Sequence, residues 1–119
     1  MSISDGITAE SFAAHHLARN DYRILTRNHH CREGEIDIVF LDGECLVFCE
    51  VKQRSGGHET ALLSVSARKQ RKLVAAALHY LARHPELDGL QTRFDVITVT
   101  PSGSHWKVNH VLDAFRPEN

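Results

Sequence analysis

The segment GEIDIVFLDGECLVFCEVK, residues 34–52, constrains the fold of this chain more than any other stretch. Two apolar runs flank Asp42-Gly43, and Asp-Gly between such runs is a strong signal for a two-residue hairpin turn. The segment therefore predicts antiparallel strands at 35–41 and 44–52. Both runs are apolar on both faces, which is typical of central strands that are covered on both sides.

The neighbouring segments predict an α-β-β-β-α-β order with one extra element. A Gly- and Ser-bearing loop at 54–64 separates the hairpin from the second helix. An antiparallel hairpin followed by a helical crossover to another strand gives a mixed sheet with helices on its faces. The flanking elements are a helix at 8–20 with Thr8 as N-cap, strands at 21–28 and 93–100, a helix at 64–84, and a short edge strand with a helical turn at 105–115.

The predicted helix at 64–84 combines an apolar face with a basic one. Val74, Leu78 and Leu81 recur at helical spacing and predict the buried face. The helix carries five basic residues and no acid, whereas residues 33–50 carry six acids and no Lys or Arg. An acidic hairpin beside a basic helix suits metal ions held next to a phosphate chain, although two separately solvated faces would give the same pattern.

Length and composition indicate an ordinary globular protein. The 119 residues fit one domain, 1–119, and the chain is 42% hydrophobic and 24% charged. The start MSISDGITAE lacks the basic and apolar runs of a secretory signal, and no stretch reaches the roughly 20 apolar residues of a membrane span. Three cysteines cannot all pair within one chain, so we expect a reducing, cytoplasmic location and no membrane partner.

Three charged side chains of the hairpin are predicted to meet. With Asp42-Gly43 as the turn, Asp37 lies opposite Phe48. Because side chains alternate along a strand, Asp37 then shares one face with Glu50 and Lys52. Glu50 becomes the diagonal neighbour of Asp37, roughly 7–8 Å away between backbones. A three-residue turn would exchange the faces.

This set of side chains suits phosphodiester hydrolysis. Two ionised carboxylates side by side repel each other unless a cation joins them. Hard oxygen ligands favour Mg²⁺ or Mn²⁺, which lowers the pKa of bound water and neutralises charge on a phosphate. A lysine at the same place orients the attacking water or stabilises negative charge. The structural alternative is a simple ion pair between Glu50 and Lys52 at a sheet edge.

The same residues resemble a known superfamily. Glu10 in the first helix, GEIDIV with Asp37, and VFCEVK with Glu50 and Lys52 are similar to the PD-(D/E)xK nucleases. The segments RN..CR.GEIDIV, EVK.R, KQRKL, RFDVI and DAF resemble, more narrowly, the YraN-like family of uncharacterised bacterial proteins over nearly the whole chain. The wider fold includes the archaeal Holliday junction resolvases, which have a similar pattern of acids and lysine.

The resemblance implies a restriction-endonuclease-like α/β fold with an αβββαβ core, and a metal-dependent nuclease activity. Asp37 and Glu50 would bind the metal, with the Val51 carbonyl as a further ligand. Lys52 would serve the attacking water, and Glu10 would approach from the helix as a further metal or water ligand. Ile-Asp stands where the superfamily name has Pro-Asp, which is a common variation.

Nucleic acid is the expected partner, with DNA favoured over RNA and selectivity for structure rather than sequence. Two-fold pairing of chains would let two sites cut two strands. Phosphate contacts would make binding salt-dependent, and the residues expected to supply them are Arg54, Arg68, Lys69, Arg71 and Lys72. Two alternatives stay open: a non-catalytic nucleic-acid-binding protein of the same fold, and a structural or interaction domain whose charges pair with one another.

The remaining reactive residues receive structural interpretations. The spacing of HHC at 29–31 with Cys45 and Cys49 fits no zinc finger or zinc ribbon, so the sequence predicts no zinc site. The two later cysteines alternate with Glu50 and are expected in the core. We expect a structural role for Asp95, such as pairing with Arg93 or capping a neighbouring backbone.

Overall fold

The structure, a computed structural model, describes residues 8–54 and 65–117. Its helices and strands follow the predicted αβββαβ order, with one more strand at the end. The predicted loop at 54–64 lies, apart from Arg54, outside the described residues. In chain order the elements are α1 (Ala9–Arg19), β1 (Arg23–Cys31), β2 (Gly34–Asp42), β3 (Cys45–Gln53), α2 (Ala67–Ala82), a 3-10 turn (Pro85–Leu87), β4 (Gln91–Ser102) and β5 (His105–Phe115).

The five strands form one mixed sheet in the order β1-β2-β3-β4-β5. Strands β3 and β4 are parallel because α2 carries the chain back across the sheet between them, and the other neighbours are antiparallel. The predicted α/β class, with a mixed sheet flanked by helices, is confirmed. The arrangement is compatible with a restriction-endonuclease-like core.

The two helices cover opposite faces of the sheet. On one face Leu73 and Tyr80 of α2 pack with Phe48, and on the other Leu17 of α1 packs with Phe40. Burying an apolar side chain of this size stabilises the fold by roughly 1.5–3 kcal/mol. Thr8 is the N-cap of α1, as predicted, and its hydroxyl accepts the Ser11 N–H at 3.0 Å.

The buried face of α2 agrees with the predicted one in part, since Val74 and Leu81 pack, partly buried, against the core. Leu78, expected in the core, is 63% exposed, whereas Tyr80 is 2% exposed. The Tyr80 hydroxyl can be buried because it shares a 2.7 Å hydrogen bond with the Thr26 hydroxyl of β1. Within residues 8–54 and 65–117, no helix is both long and apolar enough to cross a membrane.

The C-terminal segment was predicted as a short edge strand with a helical turn, and the helical turn is wrong. Residues His105–Phe115 form one continuous strand along β4. A bulge opposite Asp95 allows this, since the Asp113 N–H donates to the Asp95 carboxylate at 2.9 Å. Asp95 also pairs with Arg93 at 2.8 Å, as expected.

Candidate metal and nucleic-acid site

The hairpin turn lies one residue later than predicted. Asp42 pairs with Cys45, so the loop residues are Gly43 and Glu44. Only Gly43 of these has a positive φ, 59°, which fits a type II′ better than a type I′ turn. Asp42 stays in the strand because Arg93 of β4 donates to its carboxylate at 2.9 Å.

The predicted strand register was therefore wrong by two residues. The β2–β3 pairs end at Ile38 with Cys49, where the predicted register pairs Ile38 with Val47. Because side chains alternate with a period of two, a register shift of two residues leaves each side chain on its predicted face of the sheet. The two acids therefore both lie at the open end of the hairpin, just beyond its last regular pair.

Asp37 lies where the regular strand geometry is interrupted. Ile36 and Val39 both pack towards α2, while Ile38 between them packs towards α1. At the same level of β1, Asn28 has a φ of 57°, a left-handed conformation that Asn tolerates better than most residues. Here the Val51 N–H donates to the Asp37 carboxylate at 2.8 Å, in place of a ladder hydrogen bond.

The surroundings of Asp37 disfavour its ionised form. Burial raises its pKa from 3.8 to about 6, against the lowering effect of the Val51 hydrogen bond, and the charges of Glu50 and Glu10 add to the rise. Asp95 shows the opposite balance. Burial alone would raise its pKa, but hydrogen bonds from His110 and Arg93 outweigh burial and lower it. The charge of Asp37 is thus less well compensated than that of Asp95.

Glu10 approaches the same region from α1, held by two residues of β1. Its Oε2 accepts from Arg27 at 2.8 Å and from Asn28 at 3.1 Å. The break in alternation explains this, because two consecutive residues of β1 point towards α1. Their role was missed in the sequence, although both belong to the RN..CR.GEIDIV segment that carries the resemblance.

Glu50 and Lys52 follow one another on the side of β3 that faces α2. Glu50 is 6% exposed, and its carboxylate lies 3.3 Å from the Lys69 ammonium of α2. Burial lowers the pKa of Lys52, and the charges of Arg54 and Lys69 act in the same direction, against the charge of Glu50. We call Asp37, Glu50 and Lys52 the hairpin site.

Of the basic side chains of α2, Lys69 contacts the hairpin site, while the backbone of Lys72 lies over Gly34 of β2. The first turn of this helix contains no acid, and its N-cap is Ser66. Gly34 of β2 allows the close approach, because a Cβ there would stand 3.0 Å from the Lys72 carbonyl oxygen. Arg54 lies at the end of β3 and is half-buried. The basic cluster, as we call it, consists of Arg68, Lys69, Arg71 and Lys72.

The donor set fits a hard divalent cation in part. Asp37, Glu50 and the Val51 carbonyl are oxygen donors at one end of the hairpin, as Mg²⁺ or Mn²⁺ requires. Within the described residues, the carboxylates of Glu10, Asp37 and Glu50 do not form a group whose oxygens all lie within 4.8 Å of one another. Asp37 is thus the centre of the candidate metal site, and the charges of both Glu50 and Glu10 raise its pKa.

Comparison with known sequences agrees with the resemblance seen in the motifs. The chain is 47% identical over 111 residues to a UPF0102 protein of Geobacter metallireducens, covering 92% of this chain and 90% of that one. It is 42% identical over 118 residues to a UPF0102 protein of Stutzerimonas stutzeri, covering 96% of each. Residues 9–99 match the profile of one family. The chain therefore belongs to the family described as Uncharacterised protein family UPF0102, the YraN family.

Proposed function

We propose that this protein is a metal-dependent nuclease that hydrolyses phosphodiester bonds in DNA. The observation that carries the proposal is the position of the Asp37 carboxylate at the end of the hairpin, 2.8 Å from the Val51 N–H, where burial and the charges of Glu50 and Glu10 raise its pKa to about 6. Uncompensated carboxylates of this kind mark functional sites because they destabilise a fold unless a ligand offsets the cost.

Asp37 and Glu50 would hold Mg²⁺ or Mn²⁺ together with the Val51 carbonyl. The bound ion would lower the pKa of a water molecule and neutralise charge on the scissile phosphate. Asp37 keeps its orientation through the Val51 N–H, which occupies Oδ2. Glu10 contributes indirectly, since its Oε2 is taken by Arg27 and Asn28. The charge of Glu10 nevertheless raises the pKa of Asp37. We assign to Glu10 the role of orienting a water molecule at the site.

Lys52 is assigned to the attacking water. It stands two residues after Glu50 on the same strand face, and burial lowers its pKa. A positioned lysine ammonium group can orient the attacking water or take part in its proton transfer. The same ammonium group, when charged, stabilises negative charge that develops on the phosphate.

The basic cluster would bind the phosphates that flank the cleaved bond. It surrounds the N-terminal turn of α2, where the helix dipole favours anions, and Lys69 links it to Glu50. We assign DNA rather than RNA because of the resemblance to the PD-(D/E)xK nucleases. The three cysteines are free thiols, which supports a reducing, cytoplasmic location.

A second candidate is a non-catalytic nucleic-acid-binding protein. One observation favours it: Glu50 pairs with Lys69 and Glu10 pairs with Arg27, so two of the three acids already have cations within the chain. In that case the acids would serve only to position the basic cluster.

Calorimetric titration of Mn²⁺ separates the two candidates. We expect wild type to bind Mn²⁺ and both Asp37→Asn and Glu50→Gln to lose binding by at least tenfold. Glu44→Gln, which removes an exposed acid in the hairpin turn, is the matched control and should bind as wild type does. Branched, flapped and single-stranded DNA are then tested for cleavage. A folded wild type that takes up no Mn²⁺ even with DNA present would exclude the nuclease and leave the binding protein.

A further inference from the structure

A second cluster of potential metal ligands lies away from the hairpin site. His29 and Cys31 stand two residues apart on β1, and His79 faces them from α2. One ligand atom from each residue can be chosen such that all three lie within 4.8 Å of one another, and no other such group of three occurs among the residues that the structure describes. All three side chains are partly buried.

The two imidazoles already have nearly the spacing of zinc ligands. His29 Nε2 lies 3.1 Å from His79 Nδ1. Two nitrogens at about 2.0–2.1 Å from one zinc ion, at a tetrahedral angle, are roughly 3.3 Å apart. The separation of the two nitrogens therefore has to change by only a few tenths of an ångström, and both rings have to turn so that their lone pairs point at the metal instead of at one another. The Cys31 thiol, now 3.4 Å from the Gly34 carbonyl, would turn inward to complete the face.

The hydrogen bonds of His79 show which protons must move before a metal ion can bind. Arg83 Nε donates to His79 Nε2 at 3.2 Å, so the proton of a neutral His79 is on Nδ1 and is donated to His29. A metal on Nδ1 requires that proton to move to Nε2, and Arg83, which is exposed, to turn away. Cys31 binds as the thiolate, so one proton per metal ion leaves to solvent.

We propose that His29, Cys31 and His79 bind one zinc ion, with water in the fourth position. Two imidazoles and a thiolate form a donor set that suits Zn²⁺ and disfavours Mg²⁺. The ion would join β1 to α2 ten residues, or about 15 Å along the helix, beyond Lys69. The site is thus separate from the hairpin site, and it does not depend on the proposed nuclease activity.

Cobalt substitution in tag-free, reduced protein tests the proposal. Co²⁺ bound to a thiolate has a sulfur-to-metal charge-transfer band that carboxylate sites lack. We expect one equivalent of Co²⁺ to give this band together with tetrahedral d–d absorption, and one equivalent of Zn²⁺ to remove both. Cys31→Ser should abolish the charge-transfer band, and His79→Ala should weaken Co²⁺ binding at least tenfold. Circular dichroism establishes that each variant is folded.

Two matched controls exclude binding elsewhere. Cys45→Ser alters another partly exposed thiol, and His30→Ala removes the exposed imidazole between the two β1 ligands, so both should keep the band. Asp37→Asn should keep it as well, which separates this site from the hairpin site. Arg83→Gln should tighten Co²⁺ binding several-fold, because the competing donor to His79 is removed.

The contrary results are equally specific. Co²⁺ binding with no charge-transfer band, a band that persists in Cys31→Ser, or no uptake of Co²⁺ or Zn²⁺ by folded wild type would each overturn the proposal. The cluster would then be a hydrogen-bonded imidazole pair that packs against Tyr80, whose ring centroid lies 5.1 Å from that of His29.

Discussion

The Lys69 ammonium lies 3.3 Å from the Glu50 carboxylate and ties the first turn of α2 to the open end of the β2–β3 hairpin. The Glu50 side chain is 8% exposed and that of Lys69 is 43% exposed. The ion pair therefore joins a buried acid to a cation that can move into solvent. If a metal binds Glu50, Lys69 competes with it for the same carboxylate.

Lys69→Gln should accordingly raise the affinity for Mn²⁺ several-fold while it destabilises the metal-free protein. Without its cation partner, the buried Glu50 should cost about 1–2 kcal/mol, a value discounted for the exposure of Lys69. Calorimetry and urea unfolding measure the two effects. Lys72→Gln removes an exposed lysine three residues further along α2 and is the charge-matched control. Equal Mn²⁺ affinity in both variants would contradict competition at Glu50.

Asp37→Asn should change how stability depends on pH. A folded-state pKa of about 6, raised from 3.8, contributes stability that is fully present below about pH 4 and is lost as the pH rises through 6. In EDTA at pH 7 the Asn variant should thus be ~1 kcal/mol more stable than wild type, a value reduced for partial exposure of the carboxyl group. At pH 4 this difference should largely vanish. Urea unfolding at both pH values measures it, and an unchanged difference would contradict the raised pKa.

Lys52→Ala should separate metal binding from catalysis. The lysine is assigned to the attacking water rather than to the metal, so Mn²⁺ affinity should stay within about twofold of wild type, while DNA cleavage falls by roughly 10²–10³-fold. Cleavage under single-turnover conditions measures the effect. Lys107→Ala, an exposed lysine on β5, is the control and should cleave as wild type does. Full cleavage by the Lys52 variant would remove this residue from the mechanism.

Charge reversal in the basic cluster should weaken binding to DNA of any base sequence to the same extent. We expect Arg71→Glu with Lys72→Glu to lower affinity by at least tenfold at low salt. The slope of log affinity against log salt should fall by roughly one for each phosphate that is no longer neutralised. Anisotropy titrations across a salt series measure both quantities. Arg19→Glu, at the end of α1, is the control, and an equal loss of affinity there would indicate a non-specific charge effect.

Gly34→Ala should loosen the packing between the hairpin and α2. The added Cβ would lie 3.0 Å from the Lys72 carbonyl oxygen and 3.3 Å from its Cβ, and backbone there cannot yield as a side-chain tip can. We expect a loss of about 1–2 kcal/mol in urea unfolding, together with weaker DNA binding. Glu33→Ala, at the exposed position just before Gly34, is the control and should unfold as wild type does. Equal stability of Gly34→Ala and wild type would show that α2 adjusts freely.

The strands and helices that follow local rules were predictable. The hairpin, α1 with its Thr8 cap, and the order of elements depend on alternation, turn residues and caps, all of which act within a few positions of the chain. The pairing of Asp95 with Arg93 also spans only two residues. For the same reason the segregation of acids into the hairpin and basic residues into α2 is visible in the sequence itself.

The features that sequence analysis missed depend on partners distant in the chain. Arg93, 51 residues away in the chain, holds Asp42 in β2. The turn therefore lies one residue later, and the strand register differs by two residues, from what the turn sequence alone predicts. Thr26 shares a hydrogen bond with the Tyr80 hydroxyl across 54 residues, which sets the buried face of α2.

What the sequence alone determined, then, is which residues are available in which elements: paired acids on a hairpin, a lysine two positions on, and a basic helix. Only the tertiary structure decided which of them meet. It pairs Lys69 with Glu50 and Arg27 with Glu10. It also brings His79 next to His29 and Cys31 of β1, whose own spacing matches no zinc-binding motif. The physical reason is that periodicity and turn chemistry act over a few residues, whereas ion pairs and ligand clusters form between elements that the folded sheet brings together.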